Sequence, residues 1–400
     1  VLLAVAAHEE GEGMMEQQGQ KSMLKGQMPT RRRLGTQCSD TPRRGFTLTE
    51  LLVVMLVLSI LTAMAWVGLS SALNDARASR TKTVINKIDT LIQERWEGYR
   101  TRAVPLPRLQ NQNAIVVARS RLYVLRELMR MEMPDRRTDV LDDPVIPGLA
   151  IPALTQSYRR LVARWTTNWT RQHQGAECLY LILATMKDGD KSALDYFSTD
   201  EVGDSDGDGM KEILDGWGRP IEFLRWAPAY AQHPGSDGQW GVASVDDDGN
   251  GTTDDIFEAG YPGSDDLKDS PITQQTRIAV KHPTRTDIPF APDPYDPLKT
   301  DPRWSNVNTA PYALHPLIFS AGMDGSYDVA TVLEDPSGPS DFRYSQTSVY
   351  VLTSPPNDPY FVPPTTWTGQ FPLGTVGDID GDGYAHGWAD NITNHDNRAQ

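Results

Sequence analysis

Arg43-Arg44-Gly45-Phe46-Thr47-Leu48-Thr49-Glu50 runs directly into Leu51-Leu52-Val53-Val54-Met55-Leu56-Val57-Leu58, and no further charge follows until Asp75. One carboxylate therefore stands at the head of an apolar run long enough for a membrane span, which needs about 20 residues. A lone acid there costs roughly 2.5–3.5 kcal/mol at a helix centre and less near an end. Its presence calls for a compensating role. Arg43 and Arg44 precede the run and assign its N-terminus to the cytoplasmic side, with the bulk of the chain outside.

Residues 46–102 contain no proline, and the pattern reads as one helix to about residue 99–102. Beyond Asp75 the period changes. Val84, Ile85, Ile88, Leu91, Ile92 and Trp96 recur at spacings of three and four, with polar residues between them. That stripe suits packing on a globular head. Pro105 and Pro107 end the helix. A second helix is predicted over 114–134, with Leu122, Leu125, Leu128 and Met129 on one face. A third covers 152–186, with a break near 173–175.

After Lys187 the composition turns to Asp, Gly and Pro. Short strand-like runs remain at 221–226, 277–280, 317–320 and 348–352. Residues 283–316 and 355–364 read as long irregular connections. The acid–glycine clusters have no fixed period, which excludes a solenoid.

The opening stretch resembles the N-terminal signature of type IV prepilins and type II secretion pseudopilins. In that family a basic leader ends in Gly, a prepilin peptidase cuts after it, and the new first residue, usually Phe, is methylated. A Glu stands at mature position five. Gly45, Phe46 and Glu50 fit residue by residue. The resemblance implies an α+β, pilin-like fold: a long N-terminal helix with a membrane-spanning first half, packed on a globular head with extra helices, a small antiparallel sheet and acidic calcium-type loops. It implies a leader over 1–45 and a pilin helix over 46–102 that is transmembrane over about 46–69; the helical segment over 103–188 has no counterpart in major pseudopilins and reads as an insertion in an enlarged member, ahead of a loop-rich β head over 189–400. Partners would be prepilin peptidase, other pilin or pseudopilin subunits and an inner-membrane assembly platform. The head would lie in the periplasm. In the family's filament model, Glu50 of one subunit neutralises the Phe46 amine of its neighbour.

The chain starts at Val1, and its first seven residues are apolar without a preceding basic region, a poor signal peptide. A translation start at Met23 or Met28 is expected to give a short basic leader. The formal charge is -15; residues 1–45 hold seven Lys/Arg and five Asp/Glu, so residues 46–400 carry 31 and 48, or -17. Such an acidic body repels phosphates and attracts cations, so no nucleic-acid partner is expected. The two cysteines are Cys38 and Cys178. Cleavage after Gly45 removes Cys38 and leaves no internal disulfide, so the fold would need another staple. Cys178, within Ala-Glu-Cys-Leu-Tyr-Leu-Ile-Leu, reads as a small buried apolar residue.

Calcium is the expected staple. Asp204, Asp206, Asp208, Glu212 and Asp215 occupy positions 1, 3, 5, 9 and 12 of a loop with Gly209 at position 6, the spacing that converges carboxylates on one calcium. Asp246, Asp248, Asn250 and Asp254 form a second such set, and Asp378, Asp380 and Asp382 a third. Hard oxygen ligands favour calcium over zinc. Asp215-Gly216-Trp217-Gly218-Arg219-Pro220 resembles the Asp-Pro-Trp-Gly-x-Pro segment of major pseudopilins, with Gly216 departing from Pro. In that family a later strand ends in a Ser-x-Gly-x-Asp-Gly loop that binds structural calcium. Ser320 to Gly325, with Asp324 and then Asp328, matches the local pattern; 244–255 matches the distance. Both alternatives stand.

No enzyme constellation is present: no Gly-x-Ser-x-Gly, no phosphate-cradling Gly-x-x-x-x-Gly-Lys, no Cys-x-x-Cys and no His-Glu-x-x-His. The competing reading is an exported soluble periplasmic calcium-binding module whose signal ends near Ala65, after Ala63-Met64-Ala65. Against it, Glu50 has no purpose in a disposable segment, and the helical pattern continues past Ala65.

Overall fold

Helix α1 spans Leu48–Gly98 without interruption, as the absence of proline dictates. The computed structural model describes residues 46–106, 113–230, 239, 242–246, 251–254, 292–305, 311–331, 358–361, 371, 373–377, 379 and 387–395. The predicted strands at 277–280 and 348–352 lie outside the described residues. The chain divides into two units, Val1–Thr62 and Ala63–Gln400.

In the first unit, the described residues 46–62 are all exposed, apolar side chains included. The apolar part of α1 is long enough to cross a membrane and buries none of its surface within the chain.

In the second unit the predicted stripe of α1 is the buried one. Val84, Ile85, Ile88, Leu91, Ile92 and Trp96 all enter the main core. Two polar residues on that stripe are buried with partners. Asp89 Oδ1 accepts from Asn394 Nδ2 at 2.9 Å, and Asn394 Oδ1 accepts from the Ile318 N–H at 2.9 Å. The Thr81 hydroxyl accepts from the Gly216 N–H at 2.9 Å. A Cβ at Gly216 would overlap the Arg77 carbonyl. Proline there would lose the bond and meet the helix backbone, which accounts for glycine at this position.

Helices α2 (Ala114–Glu132), α3 (Arg137–Leu141), α4 (Ala153–Trp165) and α5 (Gln174–Thr185) follow. The helical segment expected over 152–186, with a break near 173–175, is two helices whose separation covers residues 166–173. Asn113 caps α2 by accepting from the Ile115 N–H at 3.2 Å.

The second half of α2 departs from the one-faced pattern. Arg126, Glu127, Arg130 and Glu132 are buried together with Leu122, Leu125, Leu128 and Met129. Each has partners: segment 292–305, expected as an irregular connection, supplies acids to Arg126, while α3 supplies one to Arg130 and Arg102 meets Glu132. Arg126 pairs with Asp293 at 3.0 Å and Asp301 at 2.8 Å. Arg130 pairs with Glu127 at 2.8 Å and Asp139 at 3.2 Å, and Arg225 with Asp139 at 2.8 Å. Tyr295 stacks edge-on against Trp96 with ring centroids 5.6 Å apart.

Strands β1 (Lys187–Asp188) and β2 (Lys191–Ser192) pair antiparallel, as do β3 (Val202–Gly203) and β4 (Glu212–Ile213). Strands β5 (Glu222–Leu224), β6 (Leu317–Ser320) and β7 (Ile392–Thr393) form an antiparallel sheet in the order β5-β6-β7. Its register sets Phe223 opposite Ile318 and Phe319 opposite Thr393. All four residues of β6 are buried, Leu317, Ile318 and Phe319 forming the apolar run of a central strand. The described architecture is α+β. Cys178 on α5 is fully buried, and burial pushes its thiol well up, so it is a packing residue.

Candidate functional site

The densest group of ionisable side chains begins on α5. The chain leaves α4, turns through residues 166–173 with His173 at a left-handed φ of 54°, and enters α5. Glu177 lies in the first turn of α5, where the helix dipole favours a carboxylate. It is fully buried. Its Oε2 accepts from the Trp169 indole N–H, whereas its Oε1 receives no hydrogen bond from any described residue.

The loop 204–212 meets it. Oxygens of Glu177, Asp206 and Glu212 lie within 4.8 Å of one another, and those of Asp204, Asp206 and Asp208 form a second group within the same limit. The loop is shaped by its own backbone. Asp204 accepts from the N–H groups of Gly207 at 2.8 Å and Gly209 at 3.1 Å, and Asp208 from Met210 at 2.8 Å. Thr170 holds it from outside, donating its hydroxyl to Asp206 at 2.7 Å and its N–H to Asp208 at 2.6 Å. Gly209 has φ +95°, and a Cβ there would stand 2.9 Å from the Trp165 carbonyl, so position 6 requires glycine. Glu212 is fully buried; its Oε2 accepts from the Ser205 N–H at 3.0 Å, and no described donor reaches its Oε1.

Burial pushes the Glu177 carboxyl up to about 9, against the lowering effect of the Trp169 bond, and the charges of Asp208, Asp206 and Glu212 add to the rise. Burial likewise raises Glu212 to about 7, opposed by the Ser205 N–H and reinforced by Asp206 and Asp204. Such oxygen-only groups suit a hard cation.

Asp215 belongs to neither group. At Glu212 the chain enters β4 rather than the helix that would return position 12 to the loop centre. Asp215 instead builds a turn: its Oδ1 accepts from the N–H groups of Trp217 at 2.8 Å and Arg219 at 2.9 Å, and its Oδ2 from the Ser320 hydroxyl at 2.7 Å. Arg219 in turn donates to the Gly322 carbonyl at 2.9 Å. The Asp-Gly-Trp-Gly-Arg-Pro turn is thus docked on the loop that leaves β6.

In that loop Asp324 is exposed and Asp328 buried. Asp390, from residues 387–390, joins them: its Oδ2 accepts from the N–H groups of Met323 at 2.7 Å and Asp324 at 3.1 Å. Asp246 Oδ2 accepts from the Gly251 N–H at 2.9 Å, and Asp254 Oδ1 from the Ser244 N–H at 2.6 Å. Asp248, Asn250, Asp378, Asp380 and Asp382 lie outside the described residues, as does Gly45.

At the other functional segment, Phe46 is 82% exposed. Glu50 Oε2 accepts from the Thr47 N–H at 2.8 Å and from its hydroxyl at 2.9 Å, and the Glu50 N–H donates to the Thr47 hydroxyl at 3.2 Å. This is a capping box at the start of α1. Residues 41–66 match the family model of the prokaryotic N-terminal methylation motif. The N-terminus is that of the prepilin and pseudopilin family. No curated protein and no solved structure matches the chain.

The prepilin-type motif implies processing by prepilin peptidase and assembly with other pilin subunits. With it, the apolar first half of α1 fits a single-pass membrane anchor. Three residues escaped the sequence reading of this pilin-like chain. Thr47 was signalled by the Thr-x-x-Glu spacing, and Glu177 by being a single acid inside an apolar helical run. Asp390 carried no signal, since it meets Asp324 from 66 positions away.

Proposed function

We propose that this chain is a structural subunit of a type II secretion pseudopilus or a type IV pilus-like filament, not an enzyme. The observation that carries the reading is the methylation motif at 41–66 joined to a helix whose apolar first part is left unburied by its own chain. Prepilin peptidase cuts between Gly45 and Phe46, and Phe46 is methylated. Before assembly the apolar part of α1 sits in the inner membrane with its N-terminus cytoplasmic and the head in the periplasm. An assembly platform in that membrane then passes the subunit into the filament, where segments 51–69 pack together.

Glu50 supplies the driving contact. The cationic Phe46 amine of one subunit and the Glu50 carboxylate of its neighbour each bear a desolvation cost alone, and pairing offsets it. The same contact fixes axial register.

The head is stabilised by calcium. Beyond the loop 204–212, the calcium loop of the family type is the one after β6, with Asp324 and Asp328. Two features favour it over 244–255: it leaves a strand, and Ser320 at its start bonds Asp215 of the Trp-Gly turn. Calcium there is a staple between turns and not a catalyst.

Mass spectrometry of the N-terminus from native membranes tests the reading. A chain beginning at methylated Phe46 is expected. A chain beginning at Trp66 would replace it with a secreted soluble module.

A further inference from the structure

We propose that Glu177 of α5 joins Asp206 and Glu212 in a buried calcium site that ties the helical segment to the acidic loop. The proposal deepens the calcium-stabilised head and rests on the loop 204–212 taking a cation at all.

Three observations converge on it. First, Glu177, Asp206 and Glu212 bring one oxygen each within 4.8 Å of the others. Oxygens bound to one calcium at about 2.3–2.6 Å stand no more than about 5 Å apart, so the spacing fits a shared ion. Second, Glu177 and Glu212 are both fully buried, and Oε1 of each receives no hydrogen bond from any described residue. A buried carboxylate oxygen without a donor is costly, and a cation meets that need for both at once. Third, the remaining oxygens are already committed. Trp169 holds Glu177 Oε2, Ser205 holds Glu212 Oε2, and Thr170 holds Asp206 Oδ2 at 2.7 Å. Glu177 and Glu212 are thereby each oriented by one oxygen and left with the other, as expected of ligands positioned by a surrounding shell, while Asp206 Oδ1 also accepts from the Asp208 N–H at 3.2 Å.

The donor set is all oxygen, which selects calcium, magnesium or manganese over zinc. Magnesium retains several waters, whereas calcium accepts a cage built mostly of protein oxygens, and these two glutamates are shielded from solvent. The neighbouring Asp204 and Asp208 extend the acidic set to the loop surface. Unlike an EF-hand-type loop, this site takes its distal ligand from a helix that precedes the loop in sequence. Calcium would therefore clamp α5 to β4, two elements that sequence places 27 residues or more apart.

The test is calorimetric titration of calcium into the decalcified full-length chain in detergent micelles, with thermal unfolding measured in parallel. The variants are Glu177→Gln and the loop variant Asp206→Asn/Asp208→Asn. Glu177→Gln keeps an acceptor for Trp169 but removes the charge. It is expected to lose one calcium equivalent, or at least tenfold in affinity for it. Without calcium it should melt no lower than the unsubstituted chain, because glutamine fills the same space and needs no counter-ion; with calcium it should gain less in Tm. If Glu177→Gln keeps every equivalent while the loop variant loses one, the loop binds calcium without α5 and this inference falls alone. If the unsubstituted chain takes up no calcium, the calcium reading of the loop falls with it.

Discussion

Thr47 and Glu50 hold each other at the start of α1, the carboxylate accepting from the Thr47 N–H at 2.8 Å and the Thr47 hydroxyl accepting from the Glu50 N–H at 3.2 Å. Glu50 therefore has a role inside its own subunit before any neighbour arrives. Two substitutions separate that role from filament pairing. Glu50→Gln preserves the capping box, since glutamine serves at this position. It should leave α1 and membrane insertion intact yet reduce filament incorporation about as severely as Glu50→Ala. The alanine variant should additionally weaken the helix start by losing its half of the capping box. Normal incorporation of Glu50→Gln, read from sheared filament fractions, would remove the charge pairing from the mechanism.

Restoring the residue that major pseudopilins carry at position 216 should harm this chain. Gly216→Pro deletes the donor to Thr81 and drives ring atoms into the Arg77 carbonyl. A loss of about 2–4 kcal/mol is expected from the missing bond and the overpacking. Denaturant unfolding of the purified chain measures it; an unchanged midpoint would mean that α1 and the turn do not approach so closely.

The buried charges around α2 should be costly to break singly. Asp139 serves both Arg130 at 3.2 Å and Arg225 at 2.8 Å. Asp139→Ala leaves Arg130 to Glu127 and Arg225 to Asp135, one buried carboxylate now missing from the cluster, and should destabilise by about 3 kcal/mol. Replacing exposed Asp200, paired with Arg80, by alanine should cost far less, because solvent screens that pair. Equal effects at the two sites would refute the burial argument.

Acid should act through Asp301. Burial alone would raise its carboxyl, but the Arg303 bond and the charges of Arg126 and Arg303 outweigh it and hold Asp301 below the ordinary carboxylate range. Asp293, which shares Arg126 but faces more desolvation than its partners offset, is raised instead. A depressed carboxyl lends stability that is present above its unfolded pKa and lost as pH falls through the folded one. The loss thus begins below about pH 4. Asp301→Asn should be less stable than the unsubstituted chain at pH 7, and the gap should narrow steadily toward pH 2 in a denaturation series.

Removing calcium should soften the head. An ion present at a hundredfold excess over its Kd stabilises by about 2.7 kcal/mol per site, or about 5 °C in a unit of this size. Addition of a calcium chelator should lower Tm by at least that amount, and restored calcium should recover it. A melting curve indifferent to both would leave the acidic loops as solvated turns.

Much of the fold was legible in local pattern. The long helix, its buried stripe, the central strand 317–320 and the break between α4 and α5 follow from periodicity and proline placement, which act over a few residues. The second face of α2 was not legible, because its charged residues find their partners in separate segments: Asp293 and Asp301 for Arg126, Asp139 for Arg130 and Arg102 for Glu132. The acidic loop was legible as a cluster but not in its membership. Spacing alone nominated Asp215, whereas the chain's turn into β4 carries Asp215 to Ser320 and leaves the space beside Glu212 to Glu177.

By itself the sequence determined the N-terminal segment: a glycine before phenylalanine, one glutamate and an unbroken apolar helix declare their chemistry within about twenty residues. Tertiary structure alone decided which acids meet. Glu50 and Glu177 pose the same question, a single carboxylate in an apolar helix. The first is answered locally by Thr47, three residues away, and the second by Asp206 and Glu212, beyond the reach of any helical period. The physical reason is that capping depends on adjacent backbone geometry, whereas a cation site depends on where distant segments are packed.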